Sequence, residues 1–240
     1  MVAVVTGRVF DAHGELPQGT EKEVAVEAMF DRIAPTYDRA NRVISLGQDR
    51  RWRRRTIAAL SVPRGSTVLD LACGTGDLCR DLEAVGQHPI GIDVSAGMLA
   101  NARTLVPLVR ADVLRLPVAD GAVDGIVCGF ALRNFVDLEA FFSECARVLR
   151  PGGRFAALDA AIPESAVMRA GHKVFFMGMV PVLGRIVAGD AEAYRYLPKS
   201  TAYLPPVEEL LALAGRAGFI SVARQTMTGG AVQLLTGTRT

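Results

Sequence analysis

The run Val68-Leu-Asp-Leu-Ala-Cys-Gly-Thr-Gly-Asp77 constrains this chain more than any other stretch of its length. Apolar residues lead straight into a turn with two glycines, and an acid then opens a helical pattern. The segment therefore reads as a buried strand over 68–72, a tight loop over 74–76 and a helix over 77–85. A glycine has no Cβ, so a ligand can lie against the backbone there, at the carboxyl end of a strand where parallel sheets collect their ligands.

The unit then recurs. Strands are expected over 89–93, near 106–111, over 123–130 and over 154–160, with helices over 95–103, 137–149 and 207–217 between and after them. Alternation of this kind predicts an α/β fold with a mostly parallel sheet covered by helices on both faces. Arg150-Pro-Gly-Gly153 stops a helix and turns the chain into the next strand. Two final runs, 219–227 and 231–238, joined by Thr228-Gly-Gly230, read as an antiparallel pair that closes the edge of a seven-stranded sheet.

With 240 residues, half of them hydrophobic and 22% charged, the chain suits one large domain rather than two and is no disordered polyelectrolyte. Residues 1–22 have no period and read as a loose N-terminal arm. Residues 23–60 read as two or three short helices interrupted by Pro35 and Gly47, and 163–206 as an insertion over the site. A net charge of +2 names no polyanionic partner. Cys73, Cys79, Cys128 and Cys145 have neither metal-site spacing nor disulfide density, so a reduced cytoplasm and no metal are expected. No stretch reaches the ~20 apolar residues of a membrane span.

Two glycines alone are weak evidence for any one ligand, since Gly74-Thr-Gly76 also begins a dinucleotide fingerprint whose third glycine is here replaced by Cys79. The acids distinguish the readings. Asp93, at the end of the second strand, is placed to accept hydrogen bonds from ribose hydroxyls. Asp70, inside the first motif, lies where a cationic amino-acid moiety would sit, and Asp112, just past the third strand, could bond an adenine amino group. An acid beside the loop repels a pyrophosphate. Singly, each has an ordinary alternative: Asp70 as a turn cap, Asp93 as the flank of the helix after Ser95, Asp112 in a solvated loop. Their joint occurrence at three successive strand ends favours a ligand site.

Three further stretches extend the pattern: Phe30-Asp-Arg-Ile-Ala-Pro-Thr-Tyr-Asp38 continuing through Asn41, Ser45-Leu-Gly47 and Arg51-Trp52; Gly129-Phe-Ala-Leu-Arg-Asn134; and Arg147-Val-Leu-Arg-Pro-Gly-Gly153. Together with Tyr194-Arg-Tyr-Leu197, Ser200, Ala217-Gly-Phe219 and Thr228-Gly-Gly230, they make the chain, from about residue 27 onward, resemble the menaquinone and ubiquinone C-methyltransferase family. The resemblance implies a Rossmann-like class I methyltransferase fold and S-adenosyl-L-methionine as cofactor, with contacts at Thr75, Asp93, Asp112 with Val113, and Gly129, to which the residue reading adds Asp70, Gly74 and Gly76. It implies a prenylated quinol acceptor, demethylmenaquinol foremost, methylated on a ring carbon in the cytoplasm, with peripheral membrane contact and a homodimer compatible with it. Where the family has His before Arg-x-Trp and Glu at the end of the fifth strand, this chain has Asp49 and Asp159.

Methyl transfer to carbon requires aligned reactants and an acceptor whose neighbouring hydroxyl is losing its proton. Arg133 and Asn134, after the fourth strand, are the candidates for polarising that hydroxyl, and Tyr37 for closing over the acceptor. Against this, Arg133 could be paired with an acid such as Asp137. His172 is a weaker candidate base. Arg50-Arg-Trp-Arg-Arg-Arg55 suggests a solvated face with Asp49 paired to Arg53, or attraction to anionic lipid, ahead of nucleic acid. The Met- and Phe-rich run 174–188 would line a tail channel or simply pack in the core. Rival functions are methylation of another phenolic metabolite, a non-catalytic binding module and a nicotinamide-dependent oxidoreductase.

Overall fold

The computed structural model describes residues 17–180, 182–183 and 190–240. Strands β1 (Thr67–Leu71), β2 (His88–Asp93), β3 (Leu108–Arg110), β4 (Val123–Gly129), β5 (Leu149–Ala160), β6 (Phe219–Met227) and β7 (Val232–Arg239) form one sheet in the order β3-β2-β1-β4-β5-β7-β6. The first five pair in parallel; β7 runs antiparallel between β5 and β6. The expected pair thus closes the sheet, with the chain's last strand lying inside its neighbour. Strand β5 begins at Leu149, earlier than the helix stop implied, because the chain pairs with β4 through a register irregularity around Pro151 and Gly152.

The alternation of each strand divides its side chains between two cores. Leu69, Leu71, Ile126 and Phe155 face α6 (Leu138–Val148) and the C-terminal helix Val207–Arg216. Val68, Val127 and Leu158 face α3 (Asp49–Leu60) and α4 (Asp77–Ala84). Phe141, Phe142, Phe155 and Phe219 stack edge to face or tilted at 5.4–6.5 Å between centroids. Caps match the local sequence: Ser95 Oγ accepts the Met98 N–H at the start of α5 (Ala96–Ala100), and Asp137 accepts that of Ala140 at the start of α6.

A third core joins the N-terminal helices α1 (Gly19–Ile33) and α2 (Tyr37–Ile44) to α5 and α8 (Ala191–Ser200), which follows α7 (Ala166–Val174) in the chain. Pro35 ends α1 in a single 3-10 turn and Gly47, at φ +73°, breaks the chain before α3, so the expected interruptions occur. The arm boundary is corrected. Residues 19–22 are the first turn of α1, because Lys22 is buried with its ammonium donating to the Phe135 carbonyl (2.9 Å) and lying 3.7 Å over the Tyr203 ring. Residues 1–16 lie outside the described part.

Candidate functional site

At the carboxyl end of β1 the backbone enters the left-handed region three times, at Ala72 (φ +54°), Gly74 (φ +54°) and Gly76 (φ +81°). For Ala72 this is strained, and Phe130, at the end of adjacent β4, repeats the feature at φ +59°. The two strained residues flank the crevice where strand order reverses, between β1 and β4. A Cβ on Gly74 would meet nothing closer than 3.9 Å, whereas one on Gly76 would come within 2.7 Å of Thr104 and one on Gly129 within 2.9 Å of Leu78. Gly74 therefore opens onto free space, and the other two permit close packing.

Asp93 uses both oxygens on backbone. Oδ2 accepts from Gly74 N–H and Oδ1 from Ser95 N–H, each at 2.8 Å, so it ties the glycine loop to the start of α5. Burial raises its pKa. Thr75, also buried, donates its hydroxyl to Asp38 in α2. Asp70 is buried on β1; one carboxylate oxygen accepts the Cys79 thiol (3.3 Å) and the other has no partner. Burial lifts this carboxyl to about 7. Cys79, read as a small stand-in for a packing glycine, thus has a bonding role as well. Asp112 is exposed and one oxygen accepts the Leu114 N–H, as in a solvated turn, yet it lines the same cavity as Asp93.

Two cavities meet at Tyr37, Ala72, Gly74, Gly129 and Phe130. The first, about 270 Å³, combines Asp93 and Asp112 with an apolar wall of Val113, Met98 and Phe30. That combination suits a flat heterocycle on a sugar. The second, about 160 Å³, is lined by polar Asp70, Thr75, Arg53 and Arg133 together with apolar Trp52, Ile44, Leu197 and Val232. An orphaned, buried acceptor at Asp70 matches a cationic amino group, and the open face of Gly74 between the cavities leaves room for a chain joining sugar to amino acid. These residues fit S-adenosylmethionine.

On the acceptor side Arg133 borders the second cavity, but its expected alternative partner was misidentified. Asp137 caps α6, and Arg133 instead forms a buried ion pair with Asp159 on β5, whose Oδ2 also accepts the Arg133 N–H (3.1 Å). Its Nε donates to Ser200 Oγ at 3.0 Å. Asn134 lines the first cavity, with its carbonyl oxygen accepting from Tyr196 Oη at 3.0 Å. Tyr37 lines both, and burial raises its pKa, so its phenol stays protonated. His172, on α7, lines neither cavity. Met177 and Met179 point outward rather than into a channel or the core; 184–188 of that run lie outside the described residues. The Asp49–Arg53 pair forms at 2.7 Å, and Arg53 also reaches Asp77 and Asp81.

Residue-by-residue reading missed Asp31 and Asp38. Asp31 Oδ1 accepts from Ser95 Oγ (2.5 Å) and Gly97 N–H (2.8 Å), and Asp38 from Thr75. Both lie within the Phe30–Asp38 stretch that carried the resemblance, which was the available signal.

The model of the ubiE/COQ5 methyltransferase family matches residues 18–239. A demethylmenaquinone methyltransferase of Roseiflexus sp. is 39% identical over 92% of this chain and 96% of its own, and one of Thermus thermophilus 40% over 88% and 100%. A solved SAM-dependent methyltransferase of Thermotoga maritima superposes with TM-score 0.62 at 21% identity, covering 88% of this chain and 98% of that one, a likeness of fold. With acids at three strand ends, an open glycine loop and a helical cap in place, these matches show that this chain is an S-adenosylmethionine-dependent methyltransferase and belongs to the ubiE/COQ5 methyltransferase family.

Proposed function

We propose that the protein methylates a ring carbon of a reduced quinone, converting demethylmenaquinol to menaquinol. The observation that carries this reading is an identity of about 40%, over nearly their whole length, to demethylmenaquinone methyltransferases. The second cavity supports it, since its lining combines polar Arg133 with apolar Trp52, Leu197 and Val232, a mixture suited to an aromatic ring with a hydrocarbon tail.

In this reading Asp93 holds the ribose, Asp112 and Val113 the adenine, and Asp70, Thr75 and the loop from Gly74 to Gly76 the amino-acid end, with Gly129 beneath. When bound, the cofactor supplies a methyl group on a sulfonium, ready for in-line displacement. Arg133 is held by Asp159 and Ser200 so that its positive charge favours the departing hydroxyl proton of the quinol. Asn134, its carbonyl committed to Tyr196, offers an N–H donor. Tyr37 closes the site as a neutral donor.

Within the insertion over 163–206, Leu197 lines the second cavity and covers the acceptor. The enzyme works in the cytoplasm, peripherally at the inner face of the membrane and without nucleic acid, and a homodimer is compatible with this reading. Among the described residues, no helix is long and apolar enough to cross a membrane. The test is mass spectrometry of a reaction with methyl-labelled cofactor and chemically reduced short-tail demethylmenaquinone. Label on the quinone ring supports the reading. Cofactor binding without transfer would shift the acceptor to another phenol.

A further inference from the structure

Exposed basic side chains on α3 and exposed apolar ones on α7 belong to the two helices that meet the Thr228–Gly229 turn, beside the second cavity. On α3, Arg50, Arg51, Arg54 and Arg55 are exposed and, among the described residues, none has an ion-pair partner; Arg53 alone turns inward to acids. At 100° per residue the four span an arc of about 140°, opposite buried Trp52, Thr56 and Leu60. Just before α3, Leu46 is 73% exposed. Across the cavity wall, Trp52 Nε1 donates to Thr228 Oγ1 at 2.9 Å, and the Met168 methyl of α7 lies over neighbouring Gly229. Helix α7 buries none of its side chains; Val167 and Val174, seven residues apart on one face, are 80% and 74% exposed. Glu164, just before α7, pairs with Arg224 at 3.0 Å, and Asp49 at the start of α3 pairs with Arg53.

We propose that this surface, the arginine face of α3 with Leu46 and the valine face of α7, docks on an anionic lipid bilayer, with the Trp52–Val232 side of the second cavity next to the membrane. The inference rests on the reading that the acceptor carries a hydrocarbon tail, and adds the surface and the orientation. Unpaired arginines attract anionic headgroups, and exposed aliphatic side chains beside them insert at the headgroup–acyl boundary. A nucleic-acid partner would use the first feature and leave the second unrewarded. A tail can then pass from bilayer to cavity past Trp52 and Val232 without crossing water.

The experiment is co-sedimentation of the full chain with phosphatidylcholine vesicles made with and without phosphatidylglycerol, at low and at physiological salt. The wild type should sediment only with the anionic vesicles, and less at higher salt. R50Q/R54Q should weaken partitioning about thirtyfold, at roughly fivefold per arginine. V167S/V174S should weaken it at both salt concentrations. Both variants should keep the wild-type thermal midpoint and turnover on a soluble short-tail quinol, and lose turnover on a long-tail quinol in vesicles. Wild-type protein that stays in the supernatant, or variants that sediment like the wild type, overturn the docking surface even if the short-tail quinol is methylated. Vesicle binding sensitive to both variants but with no quinol methylated leaves the surface standing and removes the quinol reading.

Discussion

Asp70 and Arg133 are both buried and charged by type, yet they are solved differently. Asp70 keeps one bare oxygen and a pKa near 7, the signature of a group awaiting a cation. Binding an ammonium there favours the ionised form, so cofactor affinity should fall up to about tenfold per pH unit below 7 and level off above it. Titration calorimetry between pH 5.5 and 8.5, on the order of a unit and a half either side of that value, checks this. Asp70→Asn should flatten the profile and weaken binding. Arg133 is anchored instead, by Asp159 and Ser200. Arg133→Ala leaves Asp159 buried and unpaired and should cost about 3–5 kcal/mol in denaturant unfolding. Arg133→Lys retains the charge and should keep much of kcat, whereas Arg133→Gln removes it; a folded Arg133→Gln that loses most of kcat supports the polarising role, and near-normal kcat in it removes that role.

Between elements, α1 is fastened across the first cavity by Asp31, which accepts two hydrogen bonds at the start of α5. Gly97 makes this approach possible, because a Cβ there would lie 2.8 Å from the Asp31 Cα. Alanine normally stabilises a helix interior by about 1 kcal/mol over glycine. Gly97→Ala is expected to do the opposite, lowering the thermal midpoint and weakening cofactor binding by lifting α1; an unchanged midpoint would falsify the clasp. The sequence revealed α5 as a helix after Ser95 but not this contact, since a 66-residue separation between Asp31 and Gly97 leaves no local pattern. Its observed span, Ala96–Ala100, is shorter than the expected 95–103, and β3 is likewise reduced to Leu108–Arg110. Turns and caps end such elements without a change in hydrophobic period.

For the molecule as a whole, two buried groups of opposite type set a pH profile. Asp70 has its folded pKa raised from 3.8 to about 7, so its contribution is complete below 3.8 and is lost as pH rises through 7. Lys22 is lowered from 10.5 to about 8, so its contribution is complete above 10.5 and is lost as pH falls through 8. These terms together make the ligand-free fold weakest near pH 7–8 relative to variants without them. Asp70→Asn should therefore gain on the wild type as pH rises from 4 to 7, and Lys22→Met should lose its advantage as pH rises from 8 to 10.5. Thermal melts across that range read both differences.

The sequence by itself determined the parallel α/β sheet, its antiparallel C-terminal pair and the acids at the strand ends, because strand alternation, glycine turns and helix caps are local and repeat along the chain. It also exposed the Asp49–Arg53 pair, four residues apart on one helix. Only the tertiary structure decided that Arg133 pairs with Asp159 rather than nearby Asp137, that Lys22 is buried over Tyr203, and that Asp70 is left with an unsatisfied oxygen. Each depends on which charges the fold removes from water together, and desolvation is a property of packed neighbours distant in sequence.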